Sequence, residues 1–389
     1  IDVGGGQIRN IVIATTTSDN NIDTRLSWDN KTQIKNQGII NAVAHFEHAS
    51  QNPNRRIKLD VNPSQLLLND TLWNISPSEV SIDSSKIAIS GFKLFNKGQY
   101  LMVSGNISSN PKDSVVVEVN NLDISNINLY TKDKGYLLEG FINGYAMVTN
   151  IKENPLFFSN LNLQGLSVNS QEVGNLVFSS RWFADAKRLN IKATNHLHDE
   201  VMLKASGDLF PESKSMKFSV EINKIPLKHL EPMLSDNISN IEGYVAGDIT
   251  IGGKLDKPEL NGMLTTNNVG MTIGFSKTRY SFSDPIYFDN SNIYFRNFKI
   301  QDTNKRIASL NGTIQTDHFK NISLDLNLSP SNFQLLNTTE KDNELFYGLV
   351  YASGLAKVTG PINALVIDAS LLTEPKTAIF LPLSSAKDV

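Results

Sequence analysis

The sequence contains no cysteine among its 389 residues. Disulfide bonds, thiolate metal sites and a cysteine nucleophile are therefore excluded. The absence of cysteine fits an oxidising compartment such as a periplasm, where a spare thiol is a liability, although many cytosolic proteins also lack cysteine by chance. The lack of cysteine is thus compatible with a protein of the bacterial envelope, but it does not by itself indicate one.

A surplus of basic residues is also missing. Lys and Arg number 36 against 39 Asp and Glu, which leaves a net charge of −3, and only 19% of the residues are charged. Proteins whose main partner is DNA or RNA usually carry a basic surplus gathered on one surface. We therefore expect no nucleic acid among the partners.

Long apolar runs are absent as well. No stretch approaches the roughly 18 consecutive apolar residues that a membrane helix requires. Residues 1–6 have no initiator Met, and they lack the basic and apolar regions of a signal peptide. We expect the chain to be a fragment whose parent protein carries its membrane anchor in a segment outside it.

Sequence motifs of catalysis are the last group that is missing. There is no Gly-x-Ser-x-Gly nucleophile motif and no glycine-rich phosphate loop. His196 and His198 would share one face of a strand and could bind a metal there, but solvated positions at a turn are the stronger interpretation. We predict a protein that is not an enzyme, with no catalytic residue, no metal site and no cofactor.

Alternating apolar and polar residues fill nearly the whole chain. Segments 115–119, 218–222 and 322–328 each alternate in this way, and turn signals such as those at 96–98 and 154–155 recur every 8 to 12 residues or so. Alternation places one apolar and one polar face on each strand. The sequence therefore predicts an antiparallel, all-β protein.

Two short segments favour helix instead. Segment 226–234 has apolar residues at helical spacing. Segment 329–336 begins with Ser329 as a candidate N-cap and Pro330 at the first helical position. We predict a brief helical crossing between strands at each.

An internal repeat of about 103 residues divides the sequence. An offset of 103 takes Val117 to Val220 and Gly144 to Gly247, and a further offset of 104 leads to Leu324. The predicted copies span 14–105 (weak and truncated), 106–207, 208–312 and 313–389. Because stacked modules of this kind contact mainly their neighbours, we predict that 1–389 forms one continuous, elongated sheet.

The repeat also predicts which side chains share a face. An acidic residue separates two aliphatic residues in each copy, at Glu118, Glu221 and Asp325. With the acidic residues in solvent, the aliphatic residues form one apolar surface. Its predicted lining residues are Val117, Val119, Ile142, Val148, Val220, Ile222, Val245, Ile249, Ile251, Ile293, Phe295, Leu324 and Leu326. Periodicity leaves two arrangements open, a core filled by two sheets and an open trough for apolar ligands, and by itself it favours the filled core.

The C-terminal half carries a series of motifs in a fixed order. They comprise 247–262, which includes Gly-x-Leu-x-x-Pro-x-Leu-x-Gly, and then 284–288, 342–361, 372–377 and 380–384. Single motifs are ordinary turn sequences, but their order and spacing are more specific. The series resembles the C-terminal region of the TamB family, the inner-membrane subunit of the translocation and assembly module, in its Bacteroidota form. The resemblance covers about 200–389, whereas 1–199 match in pattern only.

The resemblance implies a fold and a function. TamB proteins are similar to the wider AsmA-like group, whose sheet curls lengthwise into an open apolar groove, the β-taco. The resemblance implies periplasmic transport of glycerophospholipid from the inner to the outer membrane, together with an Omp85-type or TamA-like barrel protein. Bound phospholipid or detergent acyl chains are therefore the ligands that we expect. It also implies an N-terminal anchor in the inner membrane of a Gram-negative bacterium.

Three functional hypotheses remain open at this point. The first is a lipid conduit, and the second is an assembly scaffold whose strand edges pair with outer-membrane proteins. The third is a structural β-repeat rod with a filled core.

Overall fold

The computed structural model describes residues 2–3, 6–7, 9–31, 35–47, 56–132, 135–231, 238–318, 321–343 and 345–382. The chain divides into two compact units, Ile1–Glu200 (unit 1) and Val201–Val389 (unit 2). The boundary lies near the end of the predicted repeat copy 106–207. In the part of the chain that the structure describes, no helix has the length and apolar character needed to cross a membrane.

Strands dominate unit 1. They are β1 (Asp2–Val3), β2 (Gly6–Gln7), β3 (Val12–Ser18), β4 (Asn21–Asp29), β5 (Gln37–Phe46), β6 (Ile57–Val61), β7 (Ser64–Leu68), β8 (Thr71–Ile75), β9 (Ser78–Ile82), β10 (Lys86–Asn96), β11 (Gln99–Ser108), β12 (Ser114–Asp123), β13 (Leu138–Thr149), β14 (Leu156–Val168), β15 (Gln171–Phe183) and β16 (Arg188–Leu197). A 3-10 turn (Ile124–Ile127) and helix α1 (Asn128–Thr131) connect β12 to β13.

Unit 2 also consists mainly of strands. Its strands are β17 (Glu200–Phe210), β18 (Ser215–Pro226), β19 (Ile238–Lys254), β20 (Lys257–Ile273), β21 (Thr278–Phe282), β22 (Pro285–Asp289), β23 (Asn292–Gln301), β24 (Ile307–Thr316), β25 (Ile322–Pro330), β26 (Phe333–Thr338), β27 (Tyr347–Pro361), β28 (Val366–Thr373) and β29 (Ala378–Phe380). A 3-10 turn (Leu227–Leu230) follows β18.

Strand pairing follows the order of the chain. In unit 1, β3 to β5 and β10 to β16 pair with their sequence neighbours, and every pairing is antiparallel. In unit 2, β17 to β20 and β23 to β25 do the same. Consecutive antiparallel strands need only short turns between them. The predicted antiparallel, all-β fold is confirmed.

The order is interrupted where strands break. In unit 1, β5 pairs with both β6 and β7, and the chain between those strands bends at Asn62-Pro63. Proline has no N–H for the ladder. The Ser64 hydroxyl replaces the lost pairing, because it accepts from the Asn41 N–H at 3.2 Å and donates to the Asn62 carbonyl at 2.8 Å.

Unit 2 has two similar splits. The long strand β20 pairs with β22 along one half and with β21 along the other. The long strand β27 pairs with β25 and β26 on one side and with β28 and β29 on the other. The short strands β21 and β26 therefore extend past the tip of the β23–β24 hairpin.

The two predicted helical crossings have different outcomes. Segment 226–234 contains the 3-10 turn, and its residues 232–234 lie outside the described residues. The prediction for 329–336 is wrong, because β25 ends at Pro330 and β26 begins at Phe333. Asn332 takes a left-handed conformation (φ 47°) that turns the chain. Residues of β26 then pair with β27, which satisfies their backbone groups without a helix.

The offset of 103 residues is visible in the strand register. Val117 lies opposite Ala146 in unit 1, and Val220 lies opposite Ile249 in unit 2. Both members of the pair shift by the same offset. Equivalent stretches of sequence therefore make the same cross-strand pair in the two units.

Glycines at this offset bend the strands. Gly144 and Gly247 have φ values of 126° and 144°, in a region that side chains other than hydrogen disfavour. A Cβ atom would lie 2.1 Å from the Asn160 carbonyl oxygen in the first case and 2.3 Å from the Met263 carbonyl oxygen in the second. Glycine kinks of this kind introduce curvature into a sheet.

Candidate functional site

One face of unit 1 is apolar from β11 to β16. Rows of side chains continue from strand to strand, because each pair is in register. One row joins Val119, Gly144, Leu161, Phe178 and Ala193 across five neighbouring strands. Side chains directly opposite each other on one face are in contact. The rows therefore form a continuous apolar surface in this part of unit 1.

Unit 2 has a similar face. One row runs from β17 to β27 and comprises, in strand order, Ala205, Val220, Ile249, Gly262, Phe288, Ile293, Ile314, Leu324 and Gly360. Across these eight pairs of neighbouring strands, the row therefore stays on the same face of the sheet. The alternation within each strand is the cause, since a shift of one residue would turn every side chain to the other face.

The structure places the predicted lining residues on these faces. In unit 1 they are Val117, Val119, Ile142 and Val148. In unit 2 they are Val220, Ile222, Val245, Ile249, Ile251, Ile293, Phe295, Leu324 and Leu326. Their contact with lipid stays a prediction.

The opposite face carries the charged residues. Glu221 forms an ion pair with Lys204 at 3.6 Å, and Asp325 forms one with Lys357 at 3.6 Å. Glu118 accepts a hydrogen bond from the Tyr100 hydroxyl, and this bond raises the pKa of the Tyr100 phenol. All three acidic residues of the repeat thus lie away from the apolar rows.

Exposure of the apolar face changes along the chain. Among the described residues of β11 to β16, every apolar side chain on a strand keeps some solvent exposure, and Val117, Val119, Ile142 and Val148 are half-buried. These rows therefore stay partly open to solvent and can take up an apolar ligand. A contiguous, partly exposed apolar surface of this type is a common sign of a binding site.

In unit 2 the same face is more closed around β18 and β19. Val220 and Ile222 are only 6% and 7% exposed, and Ile249 packs against both. The partly buried neighbours of this cluster, such as Leu203 and Leu264, also come from β17 to β20. Side chains of neighbouring strands of the same sheet thus cover one another in this cluster.

The clefts of unit 1 lie elsewhere. Two cavities of about 570 and 590 Å³ share Arg25, Ile39 and Gln65 as lining residues. Arg25 lies opposite Asn41, on the face that carries polar side chains in β4 and β5. These clefts follow from the strand break at Pro63 and do not belong to the apolar rows.

The two histidines that the sequence singled out do not form a strand pair. His196 is in β16, whereas His198 lies in the following turn with a left-handed φ of 49°. The imidazole of His198 is 3.6 Å from the Glu172 carboxylate. No group of three or more metal-ligating side chains occurs among the described residues.

The sequence did not identify the residues that close the apolar face of unit 2. Phe333 is fully buried, and its ring stacks on Tyr280 with the centroids 5.2 Å apart. Phe333 lies in the segment predicted to be helical, so its strand and its face were both missed. The alternation of Phe333 with Leu335 was a signal for a strand.

Comparisons with known proteins identify the C-terminal part of the chain. No curated protein and no solved structure gives a match. The family model described as the TamB C-terminal domain matches residues 296–388, about a quarter of the chain, from β23 to the end of the sequence. The Bacteroidota form inferred from the motifs stays a prediction. The resemblance to the C-terminal region of the TamB family is otherwise confirmed, over residues 296–388.

Proposed function

We propose that this chain binds the acyl chains of glycerophospholipid on the apolar face of β11 to β16. The in-register apolar rows of that face, whose side chains stay partly exposed, are the observation that carries the proposal. Burial of each methylene contributes about 0.8 kcal/mol. A chain of about 16 carbons would therefore be retained without specific polar contacts.

The wider role follows from the family. We propose a periplasmic bridge that moves glycerophospholipid from the inner to the outer membrane, with the parent protein anchored in the inner membrane. The partner would be an outer-membrane protein of the Omp85 or TamA-like type. The polar outer face, with its ion pairs at Glu221 and Asp325, supports contact with water on that side of the sheet. No residue pattern of the described chain calls for catalysis in this role.

Lipid that copurifies with the protein tests the proposal. Val119→Glu places a carboxylate in the apolar rows of this face, where passing acyl chains would have to desolvate it. We expect mass spectrometry to find phospholipid on the unaltered protein and a severalfold loss on the variant. The matched control is Glu118→Gln, one residue away on the polar face, which should keep its lipid. Equal lipid content in the two variants would overturn the proposal.

An assembly scaffold is the second candidate function. Among the described strands, β28 pairs only with β27, so its other edge presents unpaired backbone groups. Val366, Ile367 and Leu372 on this strand are all strongly exposed. Edge strands of this kind can add a strand from a partner. Cross-linking from β28 to an unfolded outer-membrane protein, with none from β13, would favour this function over lipid binding.

A further inference from the structure

The sheet of unit 1 is interrupted where two chain bends lie side by side. Strand β6 pairs with β9 and β7 pairs with β8, so the bend that joins β6 to β7 faces the bend that joins β8 to β9. Each bend contains a proline, Pro63 in the first and Pro77 in the second. Proline has no N–H for a ladder. The two ladders therefore stop at the bends, and the sheet is not continuous there.

A cleft of about 590 Å³ lies at these bends, and we call it the proline cleft. Pro63, Pro77, Ile39 and Phe95 supply apolar parts of its wall. Its volume is within the range of about 300–1,000 Å³ that ligand sites usually have, and such sites combine apolar walls with a few polar groups. The proline cleft therefore has the size and the apolar wall of a small-molecule site.

The cleft lies on the polar face of the sheet. Four of its lining residues form one row across β5, β7, β8 and β10, namely Ile39, Gln65, Asn74 and Phe95. The row continues through Tyr100 to Asn120, whereas Val119, the neighbour of Asn120, is in the apolar rows. Successive side chains of a strand point to opposite faces. The cleft is therefore separate from the surface to which we assign acyl chains.

One cation faces the cleft. Of the described residues that line it, Arg25 alone carries a charge. Arg25 lies on β4 between Ala14 of β3 and Asn41 of β5, whose short side chains leave its guanidinium exposed. Within the described part of the chain, this guanidinium has no ion-pair or hydrogen-bond partner. Its fork of N–H donors is thus available to a ligand.

Amide side chains add further donors. Asn41, Gln65 and Asn74 all line the cleft. The Gln65 side chain donates to the Asn74 amide oxygen at 3.2 Å, which leaves the N–H groups of Asn74 for a ligand. Arginine and amide donors together favour a ligand group that accepts several hydrogen bonds, such as an oxyanion.

Nearby carboxylates limit the charge that such a ligand can carry. Asp23 and Asp29 lie on the same face of β4 as Arg25, two and four residues away, which is about 7 and 13 Å along a strand. Asp29 accepts from the Lys31 N–H at 2.9 Å. A ligand with several negative charges would meet repulsion from these carboxylates. The electrostatics therefore favour a single negative charge close to Arg25.

We propose that the proline cleft binds a small amphiphilic anion, in which one carboxylate or phosphodiester is attached to a short apolar group. The Arg25 guanidinium binds the oxyanion, and the Asn74 amide donates to it. The apolar group packs against Pro63, Pro77 and Phe95. This site is independent of the lipid-binding function proposed for the opposite face.

Photolabelling tests the proposal with diazirine derivatives of octanoate, octyl methyl phosphate and octanol. Mass spectrometry of the irradiated whole chain maps the labelled residues. We expect both anions to label residues 62–77 about tenfold more than octanol does, since charge-assisted hydrogen bonds are the difference between the probes. Arg25→Gln should reduce labelling by the anions to the octanol level. Acetate in excess should displace neither anion, because it cannot use the apolar wall.

Two further variants complete the test. Lys58→Gln removes a positive charge from the same face, where Lys58 pairs with Asp60 and Glu79 outside the cleft, and it should leave the labelling unchanged. Ile39→Asn makes the wall polar and should lower labelling by all three probes severalfold. Arg25 and Ile39 are exposed side chains, so both variants should keep the melting temperature of the unaltered protein.

Each outcome bears on one proposal. Equal labelling of 62–77 by octanol and the anions, or an equal loss in Arg25→Gln and Lys58→Gln, would overturn the assigned site. Displacement by acetate would overturn the apolar part of the ligand. Labelling of residues 156–183, read in the same spectra, reports on the opposite face. Its absence beside intact labelling of 62–77 would count against acyl-chain binding and leave the proline cleft in place.

Discussion

Glycines of the repeat show how single residues determine the curvature of the sheet. Gly247 has φ 144°, and an added Cβ would approach the Met263 carbonyl oxygen to 2.3 Å. Gly247→Ala should therefore lower stability by about 1–3 kcal/mol, through backbone strain and the clash with the neighbouring strand. Urea unfolding measures the change. Gly252→Ala on the same strand is the control, because its Cβ would meet its nearest atom only at 3.9 Å; an equal loss in both variants would contradict the argument.

The loss of stability caused by a charged substitution on the apolar face depends on how deeply the replaced side chain is buried. Ile222 is 7% exposed and packs in the cluster around Val220, whereas Val119 is half-buried among side chains that stay partly exposed. A Glu at 119 can bend towards water. Ile222→Glu should thus cost about 3 kcal/mol or more, and Val119→Glu should cost about 1 kcal/mol. Thermal unfolding of the two variants in parallel provides the measurement, and a smaller loss at 222 than at 119 would contradict the burial argument.

At the scale of elements, the tip of the β23–β24 hairpin has its own support. The Asp302 carboxylate is 4% exposed and accepts from the backbone N–H groups of Asn304, Arg306 and Gln334 at 2.8–3.0 Å. Asp302→Ala leaves these donors unpaired and should cost about 1–3 kcal/mol. Asp317→Ala in the exposed turn after β24 should change stability by less than about 0.5 kcal/mol. Hydrogen exchange of Gln334 should accelerate in the first variant only.

The elements also show how far sequence reasoning reaches. Alternation was sufficient to predict the strands and the face on which each side chain lies. Residues paired on antiparallel neighbours lie on the same face of the sheet, as Val117 and Ala146 do. The contact between Tyr280 and Phe333 could not be predicted this way, since alternation gives the face of a side chain but not which strands become neighbours past the tip of a hairpin. At Pro330 the local sequence favours a helix, but the residues that follow form β26 and pair with β27. Local preferences are weak compared with a full set of backbone hydrogen bonds.

At the scale of the whole molecule, the proposed lipid function and the apolar faces of the two units lead to one expectation. A conduit carries lipid through its parts in series, so an interruption in either unit stops the same flow. A structural rod with a filled core has no such dependence. Charged variants in the two units can therefore distinguish a conduit from a rod, provided that each variant still folds.

The decisive measurement combines Val119→Glu in unit 1 with Ile251→Glu in unit 2, singly and together, in the full-length protein. Ile251 is half-buried at the border of the Val220 cluster, so a Glu there can still reach water. For steps in series, we expect each single variant to lose most of the activity in an envelope-integrity assay and the double variant to lose no more. Melting temperatures should stay within a few degrees of the unaltered protein, as a change of about 1 kcal/mol implies for a chain of this size. Glu118→Lys and Asp248→Lys place a charge of opposite sign on the polar face and should keep both activity and stability. If activity instead falls in step with melting, or if the two losses multiply, lipid transport along the apolar faces of the two units is wrong, and the filled rod is the better description.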